Sequence, residues 1–408
     1  MKQWLQVTLG ILTAIGGFLD VGATATAGEA GSRFGLGLVW AMLLGTLAIM
    51  LLVTMVGRLT AVAGKPYAAA IREHFGFKFY LVPLSSELIA NSIMLAAELG
   101  GMAIALSLLT GLNWHILFPV CAVLIFAFTW RGPFSLIENG PSILGLLTLS
   151  FIVGIVAAGG PSRELIPTLW RPDLKPGDFA EYLFLAAAIL GAIISPYLVY
   201  FYSSGAQEEH WGKRALPRNR VIAITGMGFG AVSAIALLVL CAIVLQPMHI
   251  GSGTLGEIGL GMAHGLGRLG GLLFAIALFA CCLGAALEVT MAVGYEVSQG
   301  FGWQYGQDVK PAETPRFNLV MILILLVALG IGSIGIDPLQ LTIYGSALTA
   351  LLLPVSLSPF LIIMNDRDYL GEKTNHWATN LATMGVIALA FIVAAISIPL
   401  LFITGGGG

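Results

Sequence analysis

Apolar residues along the chain fall in repeated runs of about 20, separated by short stretches that hold most of the Gly, Pro and charge. A helix rises 1.5 Å per residue, so a run of that length covers the ~30 Å hydrocarbon core of a bilayer. Strands of a membrane barrel would instead read as short alternating segments. The pattern predicts eleven helical spans, near 7–27, 36–57, 80–110, 115–130, 143–160, 181–204, 219–246, 270–300, 317–336, 340–364 and 378–403.

Two spans are interrupted at membrane depth. GGFLDVGATATAG (Gly16 to Gly28) carries Asp20 and Gly22 in its middle, and ILGAIISPYLVYFYSS (Ile189 to Ser204) carries Ser195 and Pro196. A break there frees backbone groups that lipid cannot satisfy. The breaks lie in spans 1 and 6. Because five is odd, two five-span halves have opposite topology, and matched breaks in inverted halves point to a binding site near the midplane. The expected fold is an all-α polytopic membrane protein with a 5+5 inverted repeat. Residues 1–160 form the first repeat, 161–364 the second, and 365–408 a loop with one further span.

Composition sharpens the class. The chain of 408 residues is 58% hydrophobic and 10% charged, against about 25% charged in an average soluble domain. A net charge of −2 without a basic block gives nucleic acid no purchase. Cys121, Cys241, Cys281 and Cys282 all fall in apolar runs and read as small buried hydrophobes. The apolar N-terminal run continues past Asp20 without a convincing cleavage site, so it reads as a span and not as a signal peptide. With the N-terminus in the cytoplasm, 14 of the 19 Lys and Arg residues fall on the cytoplasmic side, as the positive-inside rule requires, and the C-terminus falls outside.

The candidate chemistry is carboxylate and hydroxyl. Asp20 lies mid-span, where a carboxylate needs a partner or water and is by default functional; capping of the broken helix is the competing role. Glu87 and Glu98 share span 3, about three turns apart, and Glu288 lies in span 8. Each is a candidate second acid or proton carrier, with Glu87 near enough to the interface to be hydrated. Tyr197, Tyr200 and Tyr202 crowd the second break, where packing competes with a ligand role. The six histidines fall in loops or at span ends, outside any midplane relay.

LDVGATATAGEAGSRFGLGLVW resembles the opening of the natural resistance-associated macrophage protein (NRAMP) family of divalent-metal transporters, which reads Asp-Pro-Gly-Asn there. ISPYLVYFYSSGAQ resembles the family's sixth span, with its Met-Pro-His, and ALLLPVSLSPFLIIMNDRDYLGEKTN resembles its tenth span and the loop after it. The resemblance implies a LeuT-type fold. It also implies a cation site with Asp20 as its charge and with Gly22, Ala23, Ala192, Ser195, Tyr197 and Ser346 around it. Gly22 and Pro196 mark the helix breaks. The departures point toward oxygen chemistry. Val21 and Ala23 replace the family's Pro and Asn, and Ser195 replaces a Met thioether, the soft ligand that favours transition metals. Tyr197 and Tyr202 replace two His, Ser346 a Gln, and Leu95 an acid of the proton path, while Glu98 keeps the second acid. An oxygen-rich site with few protein ligands suits Mg²⁺, and the Ile-Ser-Pro-Tyr stretch is similar to that of the family's magnesium-transporting branch.

The expectation is a secondary-active transporter of Mg²⁺ or Mn²⁺ by alternating access, without strict proton coupling, in a bacterial inner membrane. It needs no cofactor and no obligate protein partner, its surroundings being lipid. The rivals are transport of a small polar or cationic organic solute and a non-transporting sensor. No nucleophile–base pair or nucleotide loop suggests an enzyme.

Overall fold

The computed structural model describes residues 20–133, 145–172, 174, 177–251 and 253–404. Among them the chain is helical, and eight helices are long and apolar enough to cross a membrane, with two shorter apolar ones at 114–130 and 146–157. The fold expected from the hydropathy pattern is the one observed, although the stretch 7–19 of the first expected span lies outside the described residues.

In chain order, α1 (Val21–Phe34) follows the cap at Asp20, and α2 (Val39–Ala63) comes after a short turn. The amphipathic α3 (Tyr67–Phe75) leads into α4 (Phe77–Thr110), α5 (Trp114–Arg131) and the short α6 (Ser150–Ala157). The second break separates α7 (Phe179–Ile193) from α8 (Pro196–Glu208). Then come α9 (Leu216–Val244), α10 (Leu255–Phe301), α11 (Pro315–Gly332), α12 (Pro338–Ile363) and α13 (Trp377–Thr404). The end of the bundle that holds Arg58, Lys65, Arg72 and Lys78 is called the basic end below.

Two elements differ from expectation. The first helix runs to Phe34, not to residue 27. Its polar end is neutralised internally, because Arg33 pairs with Glu29 one turn earlier (3.2 Å) and with Glu181 of α7 (2.9 Å). Its small residues also admit α9 to close range: a side chain at Gly31 would collide with the Leu238 carbonyl. The second difference is α10, which begins 15 residues before the expected span, at Leu255, under a capping box in which Thr254 and Glu257 satisfy each other's backbone N–H. It turns sharply at Gly267 (φ 59°, ψ −145°), a conformation that L side chains rarely adopt. The outer piece, with His264 in it, packs Ile258 on Gly28 and Met262 on Gly154.

The core lies where α1, α7 and α8 meet α4, α10 and α12. Small residues set those distances. A Cβ at Gly101 of α4 would meet Cys282 of α10 and Val21 of α1, and one at Gly191 of α7 would collide with the Ser346 carbonyl of α12.

Candidate functional site: two helix breaks facing one another

Each break is built from local chemistry. At the first, Asp20 is extended and caps α1, its Oδ1 accepting from Ala23 N at 2.6 Å. The hydroxyls of Thr24 and Thr26 donate back to the carbonyls of Asp20 (2.9 Å) and Gly22 (2.8 Å), which tightens the first turn. At the second, α7 stops at Ile194 (φ −88°, ψ 54°), and Ser195 is extended before Pro196 opens α8. Proline suits that first helical position because its missing N–H would find no intrahelical partner anyway. Ser195 Oγ donates to the Ala192 carbonyl at 2.6 Å, covering one of the carbonyls the break exposes.

The two breaks converge on Gly22. A Cβ there would lie 3.0 Å from Ser346 Oγ, 3.1 Å from Asp20 Oδ1 and 3.4 Å from Ala192 Cβ. One point therefore touches α1, α7 and α12. Asp20 (1% exposed), Ser195 (3%) and Ser346 (0%) are all buried. Among the described residues the Ser346 hydroxyl has no hydrogen-bond partner, which is unusual for a buried polar group and marks a place where a ligand would be welcome. Ala23 lies inside the first turn of α1: its N–H serves Asp20, and its carbonyl points along the helix, 3.4 Å from the Thr26 hydroxyl.

A second shell of acids stands behind the first break. Both oxygens of Glu98 lie near Val21 N (3.2 and 3.3 Å), so a carboxylate from α4 helps hold the start of α1. That is favourable at the positive end of a helix. The Cys282 thiol is hydrogen-bonded to Glu98, and Asp20, Glu98, Glu288 and Tyr197 act on one another electrostatically. The structure thus brings Glu98 and Glu288 into the neighbourhood of Asp20. Glu87 is 1% exposed and belongs to a separate cluster nearer the basic end, so the hydration expected for it is absent. Tyr202 is also elsewhere, bonding Asn219 Oδ1 at 2.9 Å.

Sequence reasoning missed two residues. Cys282 reads as a small hydrophobe, and only the packing against Gly101 reveals its acid partner. Glu296 falls inside the expected eighth span and is 1% exposed. Its signal was simply a fifth acid at membrane depth. Among the described residues, no three His, Cys, Asp or Glu side chains converge as a metal cage.

Toward the basic end, polar contacts tie α8 and α12 to their neighbours. Ser203 Oγ meets Thr60 Oγ1 and accepts from Tyr67 N, both at 2.8 Å. Gln299 donates to Ser204 Oγ at 2.9 Å, and the Tyr67 hydroxyl donates to the Ser356 carbonyl at 3.0 Å.

Comparison with known proteins gives the family and the fold. The family model described as "Natural resistance-associated macrophage protein-like" matches residues 10–401. A crystal structure of a manganese transporter from Eremococcus coleocola, in complex with an aromatic bis-isothiourea substituted compound, superposes with a TM-score of 0.77. It is 19% identical and the match covers 96% of this chain and 85% of that one. Mhp1, a nucleobase-cation-symport-1 family transporter with bromovinylhydantoin bound, matches at a TM-score of 0.61 and 15% identity, over 98% of this chain and 92% of its own. A Na⁺-coupled sialic acid symporter gives 0.61 and 13%, over 95% and 89%. All three share the helical fold of this chain.

Proposed function

Because the chain belongs to the natural resistance-associated macrophage protein-like family, we propose that it is a secondary-active transporter that carries a hard divalent cation, Mg²⁺ or Mn²⁺, through the site around Gly22. One observation carries this reading: Asp20 Oδ1 and the partnerless Ser346 Oγ lie within about 3 Å of a single point beside both helix breaks. Asp20 supplies charge, Ser346 and Ser195 supply hydroxyl oxygen, and Ala192 supplies a carbonyl. Waters kept by the ion fill the remaining positions, as Mg²⁺ prefers. No thioether or imidazole joins that set, which removes the ligands that favour softer metals. The manganese transporter of the same fold supports a metal as cargo.

Access alternates as α1, α7 and α8 rock against α4 and α10, and the contacts of Ser203, Ser204 and Tyr67 open when the basic end does. The basic end faces the cytoplasm, in keeping with its excess of Lys and Arg. Tyr197 and Tyr202 do not exchange protons readily near neutral pH, so obligatory proton symport does not run through them.

The test is flux into proteoliposomes that hold a Mg²⁺ dye, a Mn²⁺-quenched dye and a pH indicator. Uptake of either metal that Asp20→Ala abolishes supports the reading, and the pH trace reports proton movement. Folded protein that moves neither ion sinks it. A second reading is favoured by the lack of a three-residue metal cage among the described residues: a small polar or cationic organic solute bound by Asp20 and the hydroxyls. Competition of organic cations against metal separates the two.

A further inference from the structure

The second acid cluster has no role in the reading above. Glu296 lies eight residues past Glu288 on α10, and among the described residues neither of its carboxylate oxygens has a hydrogen-bond partner. The charge that acts on it is Glu87 of α4. Glu87 accepts from the Ser356 hydroxyl of α12, and the Asn91 amide faces it one turn on. Tyr80 fastens the two helices at this level, its ring lying on Gly300 and its hydroxyl donating to the Glu296 carbonyl at 2.7 Å. Among the described residues, the other titratable groups that face the pair are phenols: Tyr80 from α4, Tyr67 from α3 and Tyr200 from α8. Among the described residues, no Lys, Arg or His pairs with either acid.

Two carboxylates buried together without a counter-charge cannot both stay ionised. A hard metal could neutralise them, but two carboxylates and one serine fall short of the six oxygens such an ion takes. A proton needs neither space nor further ligands. We propose that Glu87 and Glu296 form a proton-binding dyad at the α4–α10 interface, buried at the level where Tyr80 fastens the two helices, that holds at least one proton. It lies about 16 Å along α4 from the Glu98 level. Releasing that proton to water leaves two facing anions, which only hydration from the basic end can support. The dyad therefore responds to pH on that side, and it does so whatever solute the Gly22 site carries.

The test is infrared difference spectroscopy across pH on the full chain in lipid nanodiscs, with Glu87→Gln, Glu296→Gln and the double variant. The expected wild-type spectrum has a protonated-carboxyl band that survives to a pH about one unit or more above its loss in either single variant. That band is missing in the double variant. Ser356→Ala, which removes the hydroxyl bonded to Glu87 and leaves both acids in place, should shift the band's frequency. Three results overturn the proposal: identical titration in wild type and single variants, no response to Ser356→Ala, or bleaching of the band at fixed pH by Mg²⁺ or Na⁺. None of these readouts depends on transport, so a failure of the metal reading and a failure of the dyad are distinguishable.

Discussion

Replacing Gly22 by Ala tests the central geometry with one methyl group. The new Cβ would lie 3.0 Å from Ser346 Oγ and 3.1 Å from Asp20 Oδ1, close enough that each must give by a few tenths of an ångström. Asp20 is tied to Ala23 N at 2.6 Å and cannot swing without giving up its cap. Overpacking of this kind costs about 1–3 kcal/mol. The methyl crowds the two oxygens proposed to hold the ion, so that penalty falls on the bound state and weakens affinity about 5- to 150-fold. The assay is concentration-dependent Mn²⁺ or Mg²⁺ uptake in proteoliposomes, with thermal unfolding of the same preparations as a control. Gly22→Ala combined with Ser346→Ala removes one of the two crowded oxygens, so the double variant should lose less than the product of the single losses. Unchanged apparent affinity in Gly22→Ala, or strictly multiplicative losses, would refute the claim that Asp20 and Ser346 together hold the ion beside Gly22.

Three other substitutions follow from the same contacts. Ser346→Ala removes a buried hydroxyl with no partner, so thermal unfolding should show stability unchanged or raised by about 1 kcal/mol while uptake weakens. Glu98→Ala leaves the Val21 amide without its acceptors and should lower stability by about 1–3 kcal/mol, with Glu98→Gln recovering part of that loss in the same melt. Gly191→Ala drives a Cβ into the Ser346 backbone carbonyl, which cannot yield as a side chain can. It should reduce both folded yield on size-exclusion chromatography and transport.

The two breaks were legible because their residues announce themselves: an acid beside Gly22 and a proline after Ser195 have few other uses in an apolar run. The spans were legible for the same reason of length. Elements whose polarity is cancelled locally were harder to see. Glu29 and Arg33 read as the edge of a loop, yet one turn apart on a helix they neutralise each other. The Gly-rich stretch from Leu255 to Leu266 reads as a connection, and its capping box at Thr254 and Glu257 is the only local sign of a helix. The partnership of Glu87 with Glu296 joins residues more than 200 positions apart in sequence, and helical periodicity within either span says nothing about which faces meet. The same holds for Ser346, whose approach to Asp20 depends on the missing side chain of Gly191.

The kink at Gly267 has a further consequence, for the lipid. Unbroken, the 47 residues of α10 would reach about 70 Å. The turn sets the first dozen aside, and the straight remainder, like the 34-residue α4, still measures about 51 Å. Both exceed the hydrocarbon thickness and meet it by tilting or protruding. These two helices carry Glu87, Glu98, Glu288 and Glu296 between them. A thicker or thinner bilayer therefore acts first on the tilt of the very pair that holds the buried acids.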